Sequence, residues 1–230
     1  MRKIIINKRS LSFSESEQAY ISPYSSFFLE HLPGIVAPGL EVCDYGAGTG
    51  ILGIVATIDT RLKRVCFVEK NVAVKSVLID NTKRNLKHTP YEIHENVADI
   101  SSRQFDMILC NPASLPNCVN VNPFCDGGKL GIDMILEVID FATGSLRNDG
   151  VLFLIVTKLL PMSLIISKLQ QYNLSFEVIA EKTIPFRRHY DGIVEWVDRE
   201  KSKYNEMSYI SDGKQFFEVL QLLKIKRFML

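Results

Sequence analysis

Short, nearly continuous apolar runs alternate with longer amphipathic segments from about residue 40 to about residue 180. The runs predict strands at Glu41–Tyr45, Arg64–Val68, Tyr91–Asn96, Phe105–Cys110, Val151–Val156 and Phe176–Ile184. Between them, apolar residues recurring every three or four positions predict helices at Ile51–Ile58, Val72–Leu86, Lys129–Leu146 and Met162–Tyr172. Strands that are apolar almost throughout must be covered on both faces, so the alternation predicts an α/β fold around a parallel sheet. A last run, Phe216–Phe228, is long for a strand but rich in β-compatible residues. Ahead of the sheet, Ser14–Leu32 reads as a loop followed by a helix with Phe27, Phe28 and Leu32 on one face. Met1–Lys8 reads as a short strand or arm, too short in apolar residues for a secretory leader. The organisation expected is an arm and helix over 1–34 and one domain over 35–230, with 185–215 as a long insertion between the last two strands.

In an open parallel sheet, ligands bind beyond the carboxyl ends of the strands. The first central strand runs into Asp44-Tyr45-Gly46-Ala47-Gly48-Thr49-Gly50. Glycines at alternate positions let a backbone approach a ligand closely and permit positive φ. A helix starting at Thr49 or Gly50 turns its positive end toward the loop. Gly48-Thr49-Gly50-Ile51-Leu52-Gly53 also satisfies G-x-G-x-x-G, with the acidic Glu69 near the end of the next run, which is the dinucleotide pattern. Against that reading, Gly46 already makes the turn, and the carboxylate of Asp44 repels a pyrophosphate. The same carboxylate suits a cation such as the amino group of S-adenosylmethionine. A glycine turn without a ligand is the plain alternative.

The other strand ends also carry polar groups. Glu69, after Val65–Val68, can accept from both hydroxyls of a ribose; otherwise it is a solvated acid beside Lys70. Asp99 can accept from the exocyclic amine of an adenine, with Ile100 packing on the ring, or it caps a turn. Asn111-Pro112-Ala113-Ser114 follows Phe105–Cys110. The Asn111 side chain and its carbonyl, fixed by Pro112, form two acceptors that can hold an N–H nitrogen with its lone pair facing a methyl group. Catalysis of that kind is orientation. An Asn-Pro turn with no such role is the alternative.

Asp44–Gly50, Glu69, Asp99, Asn111-Pro112 and the later Asp126-Gly127-Gly128-Lys129-Leu130-Gly131-Ile132-Asp133 together resemble the class I methyltransferases with an Asn-Pro-Pro-Tyr-type motif. Within these, the chain is most similar to the release-factor glutamine methyltransferases and their small-domain relatives. The segment Tyr20–Leu29 resembles that family's proline-bearing approach to the cofactor site. The resemblance covers about residues 20 to 184. It implies a Rossmann-like, seven-stranded, mostly parallel sheet with an antiparallel last strand. It also implies S-adenosyl-L-methionine as cofactor, held by Asp44, Tyr45, Gly46, Ala47, Gly48, Gly50, Glu69, Lys70, Asp99, Ile100 and Asn111, with Asn111 and Pro112 catalytic. Ala113 and Ser114 stand where the family carries proline and an aromatic ring, and Ser114 cannot stack on an acceptor.

The insertion over 185–215 contains Pro185-Phe186-Arg187-Arg188-His189-Tyr190, the only tryptophan (Trp196), and a charged run from Asp198 to Lys203. A loop of this length is usually functional or disordered. It reads either as a lid or as a surface helix with a solvated charged face. In the lid reading, Phe186 or Tyr190 replaces the missing ring, and Arg187 or Arg188 binds an anion.

Composition narrows the function classes. The 230 residues are 47% hydrophobic and 23% charged, with a formal net charge of +1. That balance gives no global attraction to nucleic acid, and Lys83–His88 is a small basic patch at a helix end. No apolar run is long enough to cross a membrane. The five cysteines and four histidines make no metal-ligand spacing. Cys43, Cys66 and Cys110 lie inside expected strands and read as reduced core thiols, which fits a cytoplasmic protein. The expected activity is methyl transfer to a nitrogen of a small molecule, a protein amide or a nucleic-acid base. A non-catalytic cofactor-binding partner with the same fold is the alternative.

Overall fold

A computed structural model describes residues 1–58, 60–116, 125–187, 190 and 192–228. The chain forms two compact units, Met1–Asn111 with Gly144–Phe153, and Pro112–Thr143 with Leu154–Leu230.

The first unit opens on a hairpin of β1 (Arg2–Ile6) and β2 (Arg9–Phe13), paired from Arg2↔Phe13 to Ile6↔Arg9. Asn7 and Lys8 both have positive φ, 47° and 66°, the backbone of a two-residue turn whose twist matches its strands. Of the short strand or arm expected over Met1–Lys8, the strand is present, as one half of a ribbon. Helix α1 (Pro23–Ile35) follows, capped by Ser22, whose side chain accepts from the Ser25 N–H, with Pro23 at the first helical position. Tyr24, Phe27, Phe28 and Leu32 form its buried face.

Strands β3 (Glu41–Tyr45), β4 (Arg64–Val68) and β6 (Phe105–Cys110) coincide with the apolar runs, and β5 (Tyr91–His94) is two residues shorter than its run. Their order in this unit is β5-β4-β3-β6-β7, where β7 is Leu146–Thr157 and belongs partly to each unit. The β3–β4, β3–β6 and β4–β5 pairs are parallel. Cys43 lies opposite Cys66 in register, and both residues, with Cys110, are buried and form no disulfide. Strand β7 starts five residues before the expected Val151. Leu146 is buried, and Arg147 donates to Asp106 Oδ2 and Glu41 Oε2, both at 2.6 Å. That ion pair fixes the chain against the starts of β3 and β6, where hydrophobicity alone gives no signal.

Helices α2 (Ile51–Ala56) and α3 (Val72–Asn85) cover the sheet. On α3, Asn81 and Asn85 stand one turn apart and pair with the backbone of β2 and its exit. Asn81 accepts from Ser14 N–H at 2.7 Å and donates to Ser14 C=O at 3.1 Å. Asn85 does the same to Ser12 at 3.3 and 3.1 Å. Two amide side chains thus substitute for a neighbouring strand, while Phe13 is buried.

The second unit carries the order β7-β10-β8, with β8 Leu174–Pro185 and β10 Phe216–Arg227 antiparallel, and a two-residue strand β9 (Ile210–Ser211) on β10. The mostly parallel sheet with an antiparallel last strand is thus present. Helices α4 (Asp133–Ser145) and α5 (Met162–Gln171) belong here. Helix α4 begins four residues after the expected Lys129, because Gly128 and Gly131 sit at φ +81° and +75°. Residues 193–200 of the long insertion form a third helix, α6 (Ile193–Glu200). Its Ile193, Trp196 and Val197 are buried with Leu115, Leu159, Tyr190 and Met207. The surface-helix reading of this segment describes its polar face, and Trp196 is a core residue. Among the described residues, no helix is long and apolar enough to cross a membrane.

Replacing Asn81 with Leu strands the Ser14 N–H and C=O and one further carbonyl of the unit. The expected loss is about 2–3 kcal/mol of stability in urea unfolding, with faster proteolysis of the β1–β2 ribbon.

Candidate active site

The turn after β3 has almost no side chains of its own, so other elements hold it. Gly46, Gly48 and Gly50 have φ of 68°, 55° and 77°. The N–H groups of Gly46 and Ala47 donate to Val68 C=O at 2.9 and 3.0 Å, and that of Gly50 to Ala47 C=O at 2.7 Å. Gly48 N–H donates to Glu69 Oε2 at 2.9 Å. Asn81 Nδ2 donates to Thr49 C=O at 2.9 Å. A Cβ at Gly48 would meet nothing nearer than Gly46 O at 4.0 Å, so the loop is open there to a ligand.

Asp44, at the end of β3, is buried, and its Oδ2 accepts from Gly53 N–H at 2.8 Å in the first turns of α2. Burial pushes its carboxyl from the ordinary 3.8 up to about 7; the Gly53 hydrogen bond opposes this, and the nearby Glu69 charge adds to it. Tyr45 and Ala47 are buried beside it. Glu69 ends β4 and is buried. Its second oxygen accepts from Asn71 N–H at 2.9 Å, which places it beneath the loop instead of in solvent. Lys70 is exposed. Asp99 lies exposed in a 3-10 turn, Val97–Ile100, in which Asn96 holds the cap position, and Ile100 is buried.

These bonds discriminate between ligands. A pyrophosphate needs free backbone N–H donors, and those of Gly46, Ala47, Gly48 and Gly50 are spent within the unit. What the site offers is acceptors: Asp44, Glu69 and Asp99. That set fits an ammonium, a ribose and an adenine amine, the donor groups of S-adenosylmethionine.

Asn111 closes β6 in the same unit. Its Nδ2 donates to Ser25 Oγ at 2.9 Å, and Ser25 Oγ lies 3.3 Å from Ser22 Oγ at the start of α1. The Asn111 amide is thereby oriented with its nitrogen toward α1. Among the described residues, no group donates to its Oδ1. Ser25 and Asn81 are the residues that pattern reading missed. The first signals itself only as a serine in the first turn of a helix, and the second as Asn-x-x-x-Asn on an amphipathic helix.

In the second unit, Pro112 and Ser114 are buried, and Ala113 N–H points to Met134 Sδ at 3.4 Å. The Gly127–Gly131 turn packs directly on this segment. A Cβ at Gly127 would lie 2.8 Å from Ala113 O, and one at Gly131 2.8 Å from Ser114 O. Tyr190 is 5% exposed. Its hydroxyl donates to the buried Glu218 at 2.8 Å and accepts from Arg187 Nη2 at 2.7 Å. Arg187 and Tyr190 are therefore engaged with one another and with Glu218. Phe186 is half-buried, with its ring 5.2 Å from that of Tyr190. Arg188 lies outside the described residues.

Residues 8–183 match the family model described as Methyltransferase small domain. The chain belongs to this family. It is 29% identical over 126 residues to ribosomal RNA large subunit methyltransferase G of Alcanivorax borkumensis, which covers 54% of this chain and 30% of that protein. The chain thus spans about a third of the length of such curated relatives. In fold it is similar to precorrin-6y C5,15-methyltransferase from Geobacter metallireducens, with TM-score 0.58, 17% identity, and 94% and 95% of the two chains covered. It is also similar to TYW2 of P. horikoshii in complex with MeSAdo, with TM-score 0.60, 14% identity, and 98% and 71% covered. The fold is the Rossmann-like class I methyltransferase fold. S-adenosylmethionine, the cofactor to which the loop points, agrees with this family.

Gly50→Ala tests the loop's rigidity. At φ +77°, a Cβ would sit 2.5 Å from Leu78 Cδ1 and 3.3 Å from Ile54 Cδ1. The expected cost is about 1–3 kcal/mol, read as a lower thermal midpoint.

Proposed function

We propose that this protein is an S-adenosylmethionine-dependent methyltransferase that acts on a nitrogen of a nucleobase in RNA. The observation that carries the reading is Asn111. Its amide is fixed through Ser25, with Oδ1 free to accept, at the end of the strand next to the glycine loop. The name of the ribosomal RNA relatives supports the acceptor class.

When bound, S-adenosylmethionine supplies an electrophilic methyl group on a sulfonium sulfur. Asp44 would pair with its ammonium, Glu69 would take the ribose hydroxyls through the lone pairs left by Gly48 and Asn71, and Asp99 would take the adenine amine, with Ile100 as its apolar neighbour. Asn111 Oδ1 and the Asn111 carbonyl accept from the acceptor's N–H groups and aim the nitrogen lone pair at the methyl. Pro112 restricts the backbone so that the two acceptors stay convergent. Rate comes from holding the nitrogen in line, and the proton it sheds leaves to solvent.

Asn111→Ala is expected to cut methyl transfer to an RNA substrate by about a hundredfold or more, with cofactor affinity in calorimetry changed only a few-fold. Unchanged turnover would remove Asn111 from the reaction. Ser25 acts as a positioning residue. Ser25→Ala should lower kcat about tenfold without raising the KM for cofactor, and Ser25→Thr, which keeps the hydroxyl, should restore most of it.

The pH dependence follows from Asp44. In the free protein its carboxyl is protonated below about 7, and an ammonium pairs only with the ionised form. Cofactor affinity should rise with pH up to about 7, and fall toward tenfold per unit below it. Asp44→Asn should bind more weakly and lose this step. The folded value lies above the unfolded 3.8, so the folded chain holds the extra proton. This group therefore makes the free protein less stable as pH climbs from about 4 to about 7.

A further inference from the structure

The β1–β2 ribbon and the carboxyl end of α3 carry cations that the fold leaves unmatched. Residues 1–14 and 81–91 contain seven lysines and arginines and no aspartate or glutamate. The formal net charge of the whole chain is only +1, so the remainder is net acidic. Arg2 lies 3.6 Å from Glu15, just beyond the ribbon. The other six, Lys3, Lys8, Arg9, Lys83, Arg84 and Lys87, are exposed and enter no ion pair among the described residues. Elsewhere in the same unit, Lys63, Arg64, Lys75, Arg103 and Arg147 each meet a carboxylate. Asp80 stands about one turn before Lys83 on α3, toward the cofactor end, and Glu17 is exposed in the loop before α1.

The two cationic segments are far apart in sequence, and the fold makes them one surface. Asn81 and Asn85 bond the backbone of Ser14 and Ser12, and Arg84 Nη1 crosses 70 positions to Ser14 Oγ at 3.2 Å. The later asparagine holds the earlier serine, so β2 runs antiparallel to α3. Each step from Ser12 back to Arg9 therefore leads past the carboxyl end of the helix. At about 3.3 Å per residue, Arg9 lies about 10 Å beyond the Asn85 contact. Lys8 occupies the turn, at φ 66°. Lys3 pairs in register with Ser12 and Ile5 with Ser10, which puts Lys3 and two serines on the face opposite the buried Leu11 and Phe13. Holding six like charges together costs energy that no carboxylate here offsets, and the phosphates of a polyanion offset it. Lysine, arginine and serine on a rigid surface are the groups that contact a phosphate backbone. An anionic membrane would require an apolar face among the cations, and Ile5, 75% exposed, is the one large apolar side chain exposed on the two strands.

We propose that the ribbon and the carboxyl end of α3 form a docking surface for the phosphate backbone of an RNA strand. Lys3, Lys8 and Arg9 grip it from the ribbon, and Lys83, Arg84 and Lys87 from the helix. The proposal rests on the RNA reading given above for the choice of polyanion. Helix α3 begins at the cofactor end, where its cap Asn71 donates to Glu69 Oε1 at 2.9 Å, and its fourteen residues span about 21 Å. The surface thus holds phosphates about 20 Å from the cofactor end, several nucleotides from the reacting base, and leaves the transfer chemistry to Asn111. A contact of this kind reads charge and not sequence. It asks for cations within reach of the strand, not for fixed positions on the ribbon.

The test uses the full chain, a fluorescein-labelled RNA of twenty-four nucleotides, and vesicles of phosphatidylserine with phosphatidylcholine. Two variants remove the same charge from different places. Lys8→Gln with Lys87→Gln takes it from the surface. Lys201→Gln with Lys203→Gln takes it from the end of α6, where both lysines face carboxylates. Calorimetric affinity for S-adenosylmethionine should be that of the wild type in both, which shows them folded. By anisotropy at physiological salt, the first should weaken RNA binding about tenfold and make the log–log salt dependence shallower by about 1 to 2. The second should change neither. In methyl transfer, the first should raise the KM for RNA and keep kcat, as expected of a contact remote from the reacting atoms. Wild-type RNA affinity in the first variant, or an equal loss in the second, overturns the surface. Vesicle binding as tight as RNA binding, and lost in the first variant, overturns it in favour of a membrane. RNA binding through Lys8 and Lys87 in a protein that neither binds cofactor nor transfers methyl leaves the surface standing and overturns the methyltransferase reading. Methyl transfer to RNA with a wild-type KM in the first variant does the reverse.

Discussion

The cofactor end of this fold depends on the saturation of one turn's hydrogen bonds from outside. Gly46–Gly50 can approach a ligand only because it lacks side chains, and a chain without side chains cannot hold itself. The end of β4 takes two of its N–H groups, Glu69 a third, and Asn81 one of its carbonyls, while Asp44 anchors the helix that follows. The same bonds that make the turn rigid occupy the N–H groups of Gly46, Ala47, Gly48 and Gly50, which an anionic ligand would otherwise use. Rigidity and choice of ligand are therefore one property, and both come from the neighbours.

The central strands were legible because they are buried on both faces, which leaves a nearly unbroken apolar run that no helix period imitates. Glu41–Tyr45, Arg64–Val68 and Phe105–Cys110 are buried over most of their lengths, with Glu41, Asp44, Arg64 and Asp106 as the charged positions among the apolar ones. What hydrophobicity could not report were features set by polar pairing. The early start of β7 is fixed by Arg147, and the late start of α4 by positive-φ glycines. The β1–β2 ribbon turns at Asn7-Lys8, and its strands are short and mostly exposed, so alternation was faint.

At the candidate site, legibility followed chemistry. Acidic and amide residues at strand ends are recognisable one by one, and Asp44, Glu69 and Asn111 do lie in one unit beside the glycine turn. Their supports are not recognisable that way, because Ser25 reaches Asn111 across 86 positions and Asn81 reaches Thr49 across 32. In the insertion, composition alone could not sort the rings. Tyr190 and Trp196 turned out to fill a core, whereas Phe216, which pattern reading assigned only to a strand, faces solvent.

Asn81 and Asn85 grip backbone groups of Ser12 and Ser14, and a backbone looks the same whatever side chains it bears. The address of the ribbon is thus written on the helix and not on the ribbon. Outside Arg2, the Asn7-Lys8 turn, Leu11 and Phe13, the ribbon can drift in sequence without losing its place. The two asparagines are not, since aspartate lacks the donor and glutamine overshoots by a methylene. A comparison across relatives should find a variable strand docked on an unchanging pair of amides.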